Sequence, residues 1–316
     1  MGLTGAVIVP TYRRPHLLAV CLASLASLSP APEFVIVVDG SPDPPPLPAR
    51  LPSHFHRVAE PNQGPSHARN TGLDALAELS DRDVDVVCFI DDDAVARPCW
   101  FGDHLAAHQR LPQAGAVGGG VVNLTPGSVV ADYSHWVLTR LPDRSAGPVR
   151  TVPSLNVSYK QACLDEVGGF DEDLFTHEDV ELCRRIALAG WTVQYEPSIE
   201  VGHHYRTSWR ALVAQQRSHG RGFAQSRRRW PDMPGADFFD HSWPQLVGGT
   251  ATHLAREAWR TGQSYGWRLA PASIVRELTF RSAAMAERYR LEHPNRSFEI
   301  DHGRTVVDPK RTEGNQ

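Results

Sequence analysis

Val86-Val87-Cys88-Phe89-Ile90-Asp91-Asp92-Asp93 runs five apolar residues without a break into three carboxylates. A short apolar run rich in β-branched side chains reads as a strand buried on both faces, which belongs in the middle of a parallel sheet. The carboxylates that follow repel one another, and their crowding costs free energy unless a cation or hydrogen-bond donors offset it. Hard oxygen ligands on a short loop suit Mg²⁺ or Mn²⁺. In open α/β sheets ligands bind just beyond the carboxyl ends of the strands, so this acidic end lies where chemistry is expected. Three aspartates are equally a solvated turn when nothing else gathers around them. The flanking sequence has to decide.

Two earlier segments build the same edge. Ala6-Val7-Ile8-Val9 reads as a buried strand stopped at Pro10, which cannot continue a ladder. Pro15 then opens a helix carrying Leu17, Leu18, Cys21, Leu22, Leu25 and Leu28 at helical spacing. Phe34-Val35-Ile36-Val37-Val38 is a second apolar strand, ending on Asp39-Gly40-Ser41. A strand, helix and strand in this order cross over right-handedly and place both strand ends on one edge. The Pro-rich stretch at 42–48 cannot form helix and is expected as a stiff loop at the rim of the site. Residues 60–72 read as a turn running into a helix capped at Ser66.

A second acidic focus comes later. The pattern from 179 to 189 is helical and stops at Gly190, which puts Glu178 and Asp179 at a helix N-terminus. The helix dipole stabilises carboxylates there, and a carboxylate so held is also well placed as a fixed base. Strand-like residues 191–197 lead to Val201-Gly202-His203-His204, where adjacent side chains diverge and at most one histidine is a metal ligand. Beyond about residue 208 the chain turns to Arg- and Ala-rich helical segments at 208–229, 253–261 and 273–289, interspersed with Trp, and the polar end at 302–316 is expected to be disordered.

Composition narrows the class. Lys and Arg number 32 against 36 Asp and Glu, a formal net charge of -4, so no basic field recommends nucleic acid as a partner. The five cysteines are scattered without CxxC spacing, which speaks against disulfides and zinc. No leader-like segment and no apolar run of about 20 residues is present, so the expected location is cytoplasmic, with a peripheral contact to the inner membrane face left open. Gly118-Gly119-Gly120 matches neither GxGxxG nor a P-loop, and Gly64-Pro65-Ser66-His67-Ala68 lacks the second Gly of a nucleophile elbow.

The ordered motifs Val9-Pro10-Thr11-Tyr12-Arg13-Arg14, Val38-Asp39-Gly40-Ser41, Gly64-Pro65-Ser66-His67-Ala68-Arg69-Asn70-Thr71-Gly72, Phe89-Ile90-Asp91-Asp92-Asp93, Gly168-Gly169-Phe170-Asp171-Glu172 and Glu178-Asp179-Val180-Glu181-Leu182-Cys183-Arg184-Arg185 resemble those of family 2 glycosyltransferases. The resemblance implies the GT-A fold, an α/β Rossmann-like, mostly parallel sheet flanked by helices. It divides the chain into a glycosyltransferase domain at 1–210, a helical extension packed on it at 211–301 and the tail. By the same resemblance Pro10, Thr11, Tyr12 and Arg14 line a nucleotide pocket, Asp39 accepts a hydrogen bond from the base, and Arg69 and Asn70 support the pocket. Asp91 lies near the ribose, and Asp92 belongs to the same nucleotide-binding set. Asp93, with Asp91 and His203, holds Mn²⁺ or Mg²⁺. The implied donor is a nucleoside-diphosphate sugar, with UDP expected first.

Asp179 is then the general base of an inverting transfer to an acceptor hydroxyl, and Glu178 shares or replaces that role. The resemblance leaves the acceptor open among a sugar, a lipid-linked sugar, a small molecule and a peptide, and it leaves the oligomeric state open. Gln225-Ser226-Arg227-Arg228-Arg229-Trp230 has the wrong spacing for the Gln-x-x-Arg-Trp signature of processive members, so single-sugar transfer is expected. Two other readings remain at this stage. A nucleotidyltransferase would want a Gly-rich loop after the first strand, and a non-catalytic nucleotide-sugar-binding protein would not need Asp39, Asp91, Asp93 and Asp179 together.

Overall fold

The computed structural model describes residues 2–79, 84–139, 145–230 and 243–293. In chain order Gly5–Thr11 forms strand β1, Pro15–Leu25 helix α1, Phe34–Asp39 β2, Phe55–Ala59 β3, Pro65–Leu79 α2 and Val86–Ile90 β4. Ala94–Ala96 is β5, Trp100–Arg110 α3, Ala114–Asn123 β6, Val129–Thr139 α4, Gly147–Pro148 β7 and Asn156–Lys160 β8. Gln161–Val167 is α5, Glu178–Leu188 α6, Thr192–His203 β9, Trp209–Arg229 α7, Trp243–Tyr265 α8 and Ala270–Glu292 α9.

The strands join in the order β3-β2-β1-β4-β8-β6-β9-β5, with β7 added alongside β9. β1, β2, β3 and β4 are parallel, β8 runs antiparallel to both β4 and β6, and β6 is parallel to β9. The sheet is therefore mixed but mostly parallel, as the sequence predicts. Alternation along β1 sends Val7 and Val9 to one face, against Leu18, Cys21 and Leu22 of α1 and Trp100 and Phe101 of α3. Ala6 and Ile8 face the other way, toward Leu76 of α2, Leu164 of α5 and Leu182 and Ile186 of α6.

Pro10 does not end β1. The strand runs on through Thr11, in register Pro10↔Val38 and Thr11↔Asp39 with β2. The ladder with β4 has already finished at Ile8↔Phe89, so the missing N–H of Pro10 forfeits no bond on that side. This extension sets Thr11 beside Asp39 at the carboxyl edge. Ser66 also differs from expectation: α2 begins at Pro65, and the Ser66 hydroxyl donates to the carbonyl of Leu174 at 2.8 Å.

A buried polar knot fixes α3 to the sheet. Trp100 Nε1 donates to Asn156 Oδ1 at 2.8 Å, His104 contacts Asn156 Oδ1 at 3.2 Å and Ser158 Oγ at 2.8 Å, and His108 contacts Ser158 Oγ at 3.0 Å. Burial pushes His104 down to about 3 and His108 down to about 4 from the ordinary 6.5. A depressed histidine leaves the unfolded chain binding protons that the fold refuses, so this stability is complete above about pH 6.5 and is lost as pH falls toward the folded values. Urea unfolding is expected to show about 2 kcal/mol or more of loss between about pH 7 and pH 5. A midpoint that does not move would contradict it.

Ser208 caps α7, its hydroxyl accepting from the Ala211 N–H at 3.2 Å. Gly220 lets α7 approach the α9 backbone at Phe280. These helices pack on Leu174, just ahead of α6, through Phe223, Ala224, Trp230 and Ala284, and on α4 through Leu212, Leu269 and Ala272. They form the C-terminal helical extension that the sequence predicts. The expected tail at 302–316 lies outside the described residues.

Candidate functional site

The carboxyl ends of β1, β2 and β4 bring Thr11, Asp39 and the Asp91-Asp92-Asp93 run to one edge. The crowding of the three aspartates is offset by surrounding donors. Arg14, one residue ahead of α1, donates from Nη1 to Asp92 Oδ1 at 3.0 Å and to Asp93 Oδ2 at 2.7 Å. The Thr11 hydroxyl donates to Asp92 Oδ2 at 2.7 Å. Burial nevertheless pushes Asp92 up to about 6. Burial would raise Asp93 too, but the hydrogen bond and charge of His203, with Arg14, outweigh it and hold Asp93 below the ordinary carboxylate range.

His203 arrives at the end of β9. β5, directly after the aspartates, pairs antiparallel with β9 at Ala94↔His203, and the His204 N–H donates to the Asp93 carbonyl at 2.9 Å. The His203 Nε2 atom then lies 3.0 Å from Asp93 Oδ1, while its buried Nδ1 has no partner among the described residues. His204 meets Asp93 only through its backbone N–H.

Arg69 joins the two acidic foci. Its Nη1 donates to Glu178 Oε1 at 2.8 Å, its Nη2 lies 3.5 Å from Asp91 Oδ1, and its guanidinium sits over the Phe170 ring at 5.4 Å. Glu178 is buried and Asp179 half-buried at the start of α6. Burial pushes both carboxyls up, against the pull of Arg69. His177, just before them, holds the left-handed conformation at φ 67°, which is uncommon for a non-glycine residue and is the kind of strain found at functional sites.

A cavity of 430 Å³ opens beside this cluster, lined by Thr11, Arg14, Asp39, Ser41, Arg57 and the Pro-rich rim at 42–48. That is the size of a small-ligand pocket. Asp39 Oδ1 accepts from the Ser41 N–H at 2.9 Å, and Arg57 Nε stands 3.7 Å from Asp39 Oδ2, beyond hydrogen-bond reach. Among the described residues Asp39 Oδ2 accepts no hydrogen bond, so a ligand donor can take it.

Other predicted residues stand apart from the cavity. Tyr12 is half exposed, beneath the Arg13 guanidinium at 5.2 Å. Asn70 is tied to the Phe170 backbone and to Glu172 at 2.8 Å each, so it holds the 168–172 loop. Pro10 carries the strand. Arg57 was not singled out from the sequence, because its short strand β3 has neither an apolar run nor an alternation of buried and exposed residues. Among the described residues no three His, Cys, Asp or Glu side chains form a metal-binding group. The Asp93 and His203 pair nonetheless fits a divalent ion. A carboxylate and an imidazole side by side are donor types that a divalent ion can take in place of their mutual hydrogen bond, and such ions take the remaining ligands from phosphate and water.

The sequence model of glycosyl transferase family 2 matches residues 6–146, and that of glycosyl transferase family group 2 matches residues 86–284. The chain belongs to the family 2 glycosyltransferases. Pre-mycofactocin glycosyltransferase of Mycobacterium tuberculosis is 33% identical over 235 residues, 72% of this chain and 46% of that protein. Glucosyl-dolichyl phosphate glucuronosyltransferase of Haloferax volcanii is 30% identical over 225 residues, 61% of this chain and 66% of that protein. The chain thus spans about half the length of the mycobacterial relative. The mannosyltransferase PcManGT of Pyrobaculum calidifontis, solved with GDP-Man and Mn²⁺, has a TM-score of 0.60 at 17% identity, covering 91% of this chain and 87% of that one. This likeness identifies the fold, a GT-A glycosyltransferase sheet.

Proposed function

We infer that this family 2 glycosyltransferase moves a single sugar from a nucleoside-diphosphate sugar to an acceptor hydroxyl, with inversion at the anomeric carbon. The observation that carries the reading is the ion pairing of Arg69 to both Asp91 and Glu178, which draws the nucleotide edge and the α6 carboxylates into one site. The nucleoside occupies the 430 Å³ cavity, with a base N–H on Asp39 Oδ2 and the diphosphate toward Arg14. Asp93 and His203 would hold Mn²⁺ or Mg²⁺, which when bound offsets the charge developing on the departing diphosphate. Arg14 adds a fixed positive charge on the same side.

Asp179 takes the proton from the acceptor hydroxyl as its oxygen bonds to the anomeric carbon and the carbon–oxygen bond to the diphosphate breaks. One feature favours Asp179 over Glu178: Glu178 is already engaged by the Arg69 guanidinium, whereas Asp179 Oδ1 accepts from the backbone N–H of Val180. Single transfer is supported by the spacing of Gln225-Ser226-Arg227-Arg228-Arg229-Trp230, which departs from the Gln-x-x-Arg-Trp signature of processive members.

Thermal denaturation with UDP-, GDP- and TDP-linked sugars, each with and without Mn²⁺ or Mg²⁺, tests the donor. A saturating donor is expected to raise Tm by about 5 °C only when the ion is present, because it binds the native state alone. Stabilisation by nucleoside triphosphates and by no nucleotide sugar would sink the reading.

A further inference from the structure

One exposed corner of the chain gathers several large aromatic rings. α8 ends at Tyr265, a single 3-10 turn at Trp267–Leu269 follows, and α9 begins directly after it. Trp259 and Trp267 are 59% and 55% exposed, yet their rings stack edge to face with centroids 5.4 Å apart, and Trp267 lies against Gly262. Tyr265 is 45% exposed and rests on Trp136 of α4, centroids 4.9 Å apart. A fixed cluster of large aromatic rings is thus left facing water, whereas Trp100, Trp136 and Trp230 are buried.

The charges of this corner are segregated by depth. From 250 to 270 the chain carries Arg256, Arg260 and Arg268 and one carboxylate, Glu257. The Arg260 side chain is 64% exposed over a Glu257 side chain at 8%, and Arg268 is 57% exposed over Asp132 of α4 at 14%. Arg256 is exposed as well. The carboxylates lie beneath and the guanidiniums face outward, in a chain whose net charge is negative.

The corner adjoins the site. Beside Trp136 on α4, His135 meets the Tyr205 hydroxyl at 3.2 Å, the Tyr205 ring packs on His203 at 4.2 Å, and His203 contacts Asp93 at 3.0 Å. α4 itself follows the carboxyl end of β6, where Asn123 pairs with His203.

Rings with an apolar body and a polar tip, interleaved with outward guanidiniums, suit the boundary of a bilayer carrying anionic headgroups. A second copy of this chain is the poorer partner, since a two-fold contact would set these arginines against themselves. We propose that Trp259, Tyr265 and Trp267, with Arg256, Arg260 and Arg268, seat the protein on an anionic lipid surface beside the sugar-transfer site. This rests on the transferase reading for one consequence, the acceptor class: the hydroxyl acceptor is carried by a lipid at that surface.

Flotation of the full chain with vesicles of phosphatidylcholine, and of phosphatidylcholine mixed with phosphatidylglycerol, tests the surface. The wild type is expected to float with the mixed vesicles only, to be released by added salt, and to shift its Trp emission to the blue. Trp259→Ala with Trp267→Ala is expected to lower partitioning by about tenfold or more. Arg256→Gln, which leaves the Arg260 and Glu257 pair intact, is expected to lower it by about fivefold. Both variants should keep the wild-type circular dichroism melt and its response to nucleotide sugars, which separates lost docking from lost folding. Equal partitioning to both vesicles, no partitioning, or a double Trp variant that floats like wild type overturns the proposal. So does a wild-type dimer in light scattering that the double Trp variant dissociates. Vesicle binding without any response to nucleotide sugars leaves the surface standing and removes the transferase reading, and the reverse pair of results does the opposite.

Discussion

Asp179→Asn is expected to lower sugar transfer by about 10²- to 10⁴-fold while donor affinity stays within about twofold. The amide keeps the size of the side chain and can still accept from the Val180 N–H, which donates to Asp179 Oδ1 at 2.8 Å, but it cannot take the acceptor proton. The donor cavity is lined by residues of β1, α1, β2, β3 and the Pro-rich rim, and Asp179 is not among them, so binding is spared. Burial raises the Asp179 carboxyl, with Arg69 opposing, so transfer in the wild type should rise with pH through a value above the ordinary carboxylate range, as the base ionises. Glu178→Gln should cost less in transfer, because Glu178 is bound to Arg69. Initial rates and donor titrations on the same preparations separate the effects. Undiminished transfer in Asp179→Asn, or a loss that tracks donor affinity alone, would remove Asp179 as the base.

Arg69→Met carries the largest expected effect on stability. The guanidinium is almost entirely buried and serves Glu178 at 2.8 Å and Asp91 at 3.5 Å. Removing one partner of a buried pair leaves the other charge without compensation, typically at a cost of about 3 to 5 kcal/mol. Arg69→Lys should recover part of this, since an ammonium supplies the charge but not the planar fork that reaches two carboxylates at once. Urea midpoints of wild type, Arg69→Met and Arg69→Lys decide the matter. A loss under about 1 kcal/mol for Arg69→Met would mean that solvent or another cation already compensates Glu178.

Much of the fold was readable because the central strands are buried on both faces. Val86-Val87-Cys88-Phe89-Ile90 has no exposed side, so burial alone forces an apolar run, and the same holds for β1 and β2. The start of α6 at Glu178 was readable from its apolar spacing and Gly190 stop. Edge and connecting elements were harder to find. β3 pairs on one side only, with β2, and its half-buried residues give no pattern that separates it from a loop. β5 is three residues long and owes its existence to pairing with β9, a partner about 110 residues away that no local signal announces. Two features of the site have the same origin. His203 was separated from His204 only by the register of that pairing, and Arg57 reached the cavity only through β3. Trp in a helical segment is more often core, yet α8 and the 3-10 turn that follows it leave Trp259 and Trp267 in water.

The stereochemistry of donor turnover tests the central claim most directly, because water can stand in for the acceptor hydroxyl. Proton NMR of the sugar released from the nucleotide sugar that stabilises the protein, recorded before the free sugar equilibrates, reports the anomer formed first. A single displacement assisted by Asp179 predicts the anomer opposite to that in the donor, with release abolished in Asp179→Asn. Retention of the donor configuration, or release that continues undiminished in Asp179→Asn, would contradict the account.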